Sequence, residues 1–372
     1  MSDKKLSRRT LIKTAALGAG AASAASSSAF AAPNVITEKK FEWKMVMTWP
    51  KVLPGLGTGA VRLGERINKL TDGRLKIKIY GADELVPALG VFDAVSEGSV
   101  ECGHGGSYYW LSKNRSFAFF CAVPGGMTAQ EMNAWIYFDD GLRLWHELAS
   151  DFNIIPFPAG NTGVQMGGWF NKKLETAADL KGLKMRIPGL GGEVFAKLGG
   201  NPQNIPGGEL YTALQSGVID ALEWVGPWND MALGFHRIAK YYYGPGFHEG
   251  GPVLEFMINK DAFEELPEDL QLIVKGACAT ENQLMHSQYF ANNVRAFQQL
   301  QQVEGLQILP YPDDVLKAFF ETSEETLADT ANIGDINRRI YESFSKFRKG
   351  SMDMGRVMEY GYLKGRYLTE SA

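Results

Sequence analysis

Cysteine is scarce in this chain, with three among 372 residues, at Cys102, Cys121 and Cys278. An odd number at irregular spacing is no disulfide framework, and no CxxC or Cys/His zinc spacing occurs. A Cys102–Cys121 bridge is open to an oxidising compartment, but three buried thiols are the better expectation. Histidine is equally sparse, five residues with no HExxH, and no Gly-x-Ser-x-Gly elbow is present. The glycine-rich run Gly103-His104-Gly105-Gly106-Ser107 lacks the Lys-Ser/Thr that a phosphate loop needs. Nothing therefore assembles a nucleophile with a base or holds a known organic cofactor. No stretch carries the roughly 20 strongly apolar residues that a membrane helix wants.

What is present starts with a targeting segment. Lys4, Lys5, Arg8, Arg9 and Lys13 make a basic head, and Ser7-Arg8-Arg9-Thr10-Leu11-Ile12-Lys13 has the twin-arginine pattern. A weakly apolar Ala/Gly/Ser stretch follows to Phe30, and Ala29-Phe30-Ala31 offers small residues to signal peptidase. Residues 1–31 are thus expected to be a twin-arginine signal, with the mature chain starting at Ala32 in the periplasm. Their removal takes away five basic residues and one acid, leaving 33 Lys/Arg against 41 Asp/Glu, net −8. That balance argues against a nucleic-acid partner, whose phosphates need clustered cations.

Beyond Phe41, strands and helices alternate. Lys44–Trp49 reads as a strand, Gly57–Leu70 as an amphipathic helix on Val61, Leu63, Ile67 and Leu70, and Leu75–Tyr80 as a half-buried strand of period two. A helix over Pro87–Gly98 and a strand at Val100–Gly103 follow. The second unit has strands at Val164–Phe170, Lys184–Pro188, Ile219–Val225 and Leu254–Asn259, with helices at Glu193–Leu198 and Glu209–Ser216. Such alternation builds mostly parallel α/β sheets whose ligands sit beyond the carboxyl ends of the strands. The expected division is a first lobe over 32–160, a second over 161–250, a return segment over 251–312 completing both, and a helical tail over 313–372. Glu268–Val303 reads as one long helix burying Leu270, Leu272, Ile273, Cys278, Leu284 and Phe290. Asp313–Met354 is a second helical region carrying Phe319, Phe320, Ile333, Ile336, Ile340 and Phe344. Periodicity leaves open whether this tail wraps its own lobes or packs on a partner subunit.

Residues 171–224 carry a specific pattern. Leu174, Asp179-Leu180-Lys181-Gly182-Leu183-Lys184-Met185-Arg186, Asn201-Pro202 and Glu209-Leu210-Tyr211-Thr212-Ala213-Leu214-Gln215-Ser216-Gly217-Val218-Ile219-Asp220 match it in order. In this the chain resembles the DctP-like solute-binding proteins of TRAP transporters, and the order of elements agrees over essentially the whole mature chain. Gln165 in GNTGVQMGGWF, Glu223-Trp224 in ALEWVGPWND and the run from Tyr241 to Glu249 resemble the branch that binds 2-oxo monocarboxylates such as pyruvate, and its lactate-binding relatives. The resemblance implies a two-lobed periplasmic-binding-protein fold with a ligand cleft and long C-terminal helices, and a TRAP membrane permease as partner. It also implies a cation bridging ligand and protein, and a homodimer swapped through the long C-terminal helix.

The site residues have a physical logic of their own. Arg186, at a strand end, offers paired planar donors that match a carboxylate. Glu223 ends an apolar strand, where a carboxylate is costly unless paired, protonated or metal-bound. The Gln165 amide oxygen, the Glu223 carboxylate and the Trp224 backbone carbonyl make an oxygen cage suited to Na⁺ or Ca²⁺ rather than zinc. Glu249 is a further candidate ligand, and its joining favours Ca²⁺. Tyr108 is a candidate donor to the ligand, with core packing as its alternative. The expected function is capture of a small 2-oxo acid for a transporter, not catalysis. Lactate, a dicarboxylate or another carboxylate remains an alternative cargo, and an exported cofactor enzyme a lesser one.

Overall fold

Alternation of apolar and charged residues puts β1 (Phe41–Met47) and β2 (Leu75–Tyr80) side by side at the start of the described chain, residues 39–369 of a computed structural model. The export signal over 1–31 and the start expected at Ala32 lie outside these residues. In β2, Leu75 and Ile77 are buried while Lys76 and Lys78 face water, as a sheet covered on one face requires. The helix Leu56–Leu70 packs on β2 and on the later helix Glu268–Leu300, burying Leu56, Ala60, Leu63 and Ile67. Its Leu70, expected inside, is exposed. Gly57 is needed at its start, because a Cβ there would lie 2.0 Å from the Pro50 carbonyl oxygen.

The first sheet adds β3 (Cys102–Gly105), β4 (Ile154–Asn161) and a late strand, β10 (Val253–Asn259). Its order is β2-β1-β3-β10-β4. The second sheet holds β5 (Gly168–Phe170), β6 (Lys184–Arg186), β7 (Asn201–Gln203), β8 (Ala221–Leu222), β9 (Tyr241–Gly244) and β11 (Gln307–Pro310), in the order β11-β9-β5-β8-β6-β7. Both sheets are mixed rather than mostly parallel. β10 runs antiparallel to β3 and β4, and β5 antiparallel to β8 and β9. This is the two-lobed α/β fold with its long C-terminal helices, and β10 is the strand that returns to the first lobe.

Two short segments cross between the sheets, and they explain a difference from the sequence expectation. Only Gly168–Phe170 of the run Val164–Phe170 is a strand. The preceding residues pair instead with the other crossing: Gly246 N–H donates to the Gln165 carbonyl (2.8 Å) and Gln165 N–H to the Glu249 carbonyl (3.1 Å). Gly246 allows this approach, since a Cβ would stand 2.8 Å from the Met166 carbonyl oxygen.

The helix Glu268–Leu300 is the spine of the molecule, lying on β4 and on the helix Leu56–Leu70. Its inner stripe runs Leu270, Val274, Ala277, Cys278, Glu281, Asn282, Met285 and Tyr289. Leu272, Leu284 and Phe290, expected inside, are exposed. The buried stripe includes polar residues that an apolar count passes over: Glu281 accepts from Arg66 Nη1 (2.9 Å) and from Arg62 Nε (3.0 Å). The tail holds three helices, Asp313–Ala331, Asp335–Val357 and Glu359–Tyr367, of which the first two pack on the chain's own lobes. Phe319 stacks on Phe247 at 3.8 Å between ring centroids, and Phe344 meets Trp135 and Phe119 of the first lobe. Phe320 and Ile333 face water. All three cysteines are buried and free. No helix among the described residues is long and apolar enough to cross a membrane.

Candidate functional site

Strand ends and the two crossings converge on one small cavity, lined by Trp49, Tyr108, Tyr109, Gln165, Trp224 and Glu249 among others. Trp49 follows β1, Tyr108 and Tyr109 follow β3, and Trp224 follows β8. Arg186 ends β6, which lies parallel to β8. Gln165 and Glu249 come from the crossings. The cavity has a volume of about 10 Å³, room for about one water molecule. Anything larger enters only when the lobes part.

Arg186 is buried and already partnered. Its Nη1 donates to Glu223 Oε1 (2.5 Å) and to the Glu223 carbonyl (3.1 Å), and its Nε to the Ile205 carbonyl (3.1 Å). The guanidinium carbon lies 5.0 Å from the Trp224 ring centroid, a cation–π contact that fixes the fork in place. Burial works against its charge, but Glu223 and the tyrosines Tyr109 and Tyr108 outweigh it and hold its pKa above the ordinary value. The second oxygen of Glu223 sits 3.1 Å from His248 Nε2. Ligand atoms of Glu223, His248 and Glu249 all lie within 4.8 Å of one another, each residue buried.

Glu249 is the unsatisfied member. Burial and then the neighbouring Glu223 charge push its carboxyl well above the usual range, against the pull of Arg186 and a hydrogen bond with Tyr108. Its Oε2 and the Gln165 Oε1 are both buried without a hydrogen-bond partner, which native structures avoid. The Gln165 amide nitrogen is anchored on Thr162 Oγ1 (3.0 Å), so its oxygen is the end left to accept. The Gln165 amide oxygen and the carboxylates of Glu223 and Glu249 form a hard donor set, suited to Na⁺ or Ca²⁺.

The structure thus brings Arg186, Glu223, Trp224, Gln165, Glu249 and Tyr108 together. Trp49, Thr162 and His248 join them with no motif to single them out. Their signal lies in position, since Thr162 directly follows β4, Trp49 lies two residues beyond β1 and His248 adjoins Glu249. Tyr108 is half-buried, and its hydroxyl is held well above its ordinary value, by burial and then by Glu249, so it stays a donor. A deeper layer steadies the Glu223–Trp224 turn. Asp230 accepts from Val225 N–H (3.2 Å), Gly226 N–H (3.0 Å), Trp169 Nε1 (3.0 Å) and Tyr242 O–H (2.7 Å). Burial still raises its pKa to about 6.

Known solute-binding proteins are similar to this chain over most of its length. A monocarboxylate 2-oxoacid-binding periplasmic protein of Nostoc sp. is 44% identical over 330 residues, 89% of this chain and 88% of that protein. A TRAP transporter solute-binding protein of Bordetella bronchiseptica, a dimer with calcium and picolinate at one site, superposes with a TM-score of 0.87 at 37% identity, over 90% of this chain and 99% of that one. A TRAP periplasmic solute-binding protein of Pseudoalteromonas atlantica, with bound sodium and pyruvate, gives 0.85 at 42% identity, over 88% and 99%. The family model for DctP, the bacterial extracellular solute-binding proteins of family 7, matches residues 47–332. With that match across both lobes and the cleft between them, this chain belongs to the DctP family of solute-binding proteins.

Proposed function

We propose that the protein captures a small 2-oxo monocarboxylate, pyruvate or a longer homologue, for a TRAP-type permease. The observation that carries this reading is the pair of orphan oxygens, Gln165 Oε1 and Glu249 Oε2, beside the buried Arg186–Glu223 pair. Arg186 supplies the charge for the ligand carboxylate. Gln165, Glu223, Glu249 and the Trp224 carbonyl would hold Na⁺ or Ca²⁺, which lets the adjacent carboxylate and keto oxygens of a 2-oxo acid be gripped together. Tyr108 faces the same space as a hydroxyl donor. The Nostoc relative supports the cargo, the Pseudoalteromonas structure with sodium and pyruvate supports cargo and ion together, and the Bordetella structure with calcium and picolinate supports the ion. Ligand favours closure because only the closed state touches it from both lobes.

The same reading gives the chain a twin-arginine export route, from Arg8-Arg9, and a homodimer. Beyond Ser351 the helix end and the helix Glu359–Tyr367 expose Met354, Val357, Met358, Tyr362 and Leu363, an apolar surface that asks for a partner. A groove of about 730 Å³ along the spine helix, lined by Val164, Phe290, Val294 and Phe297, offers a seat to a second copy. Deleting residues 352–372 should convert a dimer to a monomer in light scattering.

The cargo is tested by thermal shift with pyruvate, longer 2-oxo acids, lactate and dicarboxylates, each with and without Na⁺ or Ca²⁺. Stabilisation by 2-oxo acids that strengthens with the cation supports the reading. A response confined to lactate or dicarboxylates, indifferent to cation, defeats it.

A further inference from the structure

The first lobe faces the cavity with Tyr108, already named as a hydroxyl donor, and with Trp49, which closes that side and has no hydrogen-bond partner of its own among the described residues. It follows β1 and is 2% exposed, with its ring held edge-on to His104 at 5.4 Å between centroids. His104 is itself fixed, its Nε2 3.2 Å from the Ala159 carbonyl oxygen, while Thr48 N–H donates to the His104 carbonyl (3.1 Å). The Trp49 Nε1 is buried and has no hydrogen-bond partner among the described residues. An indole N–H is a donor only. Left unpaired in a dry site it carries its full desolvation penalty, and no cation can relieve it. Its need is the opposite of that of Gln165 Oε1 and Glu249 Oε2, on the same cavity.

We propose that Trp49 is a ligand-binding residue, donating its indole N–H to an oxygen of the captured 2-oxo acid when the lobes close. This rests on the cargo named above. The donor comes from a rigid first-lobe strand end, whereas the guanidinium comes from the second lobe. Ligand contact with Trp49 therefore exists only across the closed cleft, and it rewards closure rather than first encounter.

Trp49→Phe keeps the aromatic contact with His104 and removes the donor alone. Two measurements on the purified protein test it: calorimetry with pyruvate at saturating Na⁺ or Ca²⁺, and the ¹⁵N–¹H indole spectrum with and without pyruvate. The expected results are an affinity loss of about tenfold or more in Trp49→Phe, and a large pyruvate-induced shift of the one wild-type indole resonance that the variant lacks. Unchanged affinity in a folded variant, or a Trp49 resonance that stays put at saturation, overturns the proposal. Should the variant not fold, the wild-type resonance, assigned through the backbone, decides alone. A wild-type protein that binds no 2-oxo acid at all overturns the cargo reading instead.

Discussion

The two lobes meet at one cavity but bring different things to it. The first lobe has long strands, up to the eight residues of β4, and offers neutral donors on rigid strand ends: Trp49, Tyr108 and Tyr109. The second is built of strands of two to four residues, and it holds the charge: Arg186 and Glu223, steadied by Asp230. Gln165 and Glu249 belong to neither sheet but to the crossings that must move when the lobes part. The charged cluster is thus assembled on the second lobe and its hinges, and the first lobe closes over it. Such a division lets a carboxylate dock on Arg186 first and be enclosed afterwards.

The largest effect should come from the second lobe. Arg186→Ala removes the ligand's counter-charge and strands Glu223 in a buried site, where breaking such a pair costs about 3–5 kcal/mol. Pyruvate affinity should fall at least about 100-fold by calorimetry, with circular dichroism showing the fold retained. Next in size is a crossing residue. Glu249→Gln keeps the shape but removes a charge from the cation site, and should weaken the dependence of ligand affinity on Na⁺ or Ca²⁺ about 10- to 100-fold.

A third change tests whether the first lobe tolerates a buried charge as the second does. Glu255 of β10 is buried with the Trp110 indole as its hydrogen-bond partner (2.5 Å), and burial pushes its pKa up to about 8. Because the folded value exceeds the unfolded one, the stability from its bound proton is complete below about pH 4.3 and is lost as pH rises through 8. Glu255→Gln, a mimic of the protonated form, should therefore melt like wild type at pH 4. At pH 9 it should gain about 1–3 kcal/mol. The smallest effect is at the cleft mouth, where Arg115 of the first lobe pairs with Glu193 of the second, both half-exposed. Arg115→Ala should change ligand affinity by no more than about fivefold, since such pairs contribute about 1 kcal/mol or less.

The contrast between lobes also governs what the sequence reveals. Long first-lobe strands with alternating residues, such as Leu75–Tyr80, are legible because their period is a property of the local chain. β8, two residues long, has no period to read, and its place is set by neighbours β5 and β6. Arg186, Glu223 and Glu249 are legible as charges out of place in apolar surroundings. Trp49 and Thr162 are not, because an aromatic or a threonine at a strand end is ordinary until the fold gathers the others around it. The spine helix misleads for a related reason: its inner face includes Glu281 and Asn282, made acceptable by Arg62, Arg66 and Asn133, residues distant in sequence.

The proposed site holds a carboxylate on Arg186 together with a cation on Gln165, Glu223, Trp224 and Glu249. Its most direct test is calorimetry of pyruvate binding to chelator-treated protein in sodium-free buffer, repeated after adding back Na⁺ or Ca²⁺. The account predicts affinity at least about tenfold tighter with the cation restored, the sign expected when one ligand site is completed by the other. Equal affinity in the presence and absence of both ions would contradict it.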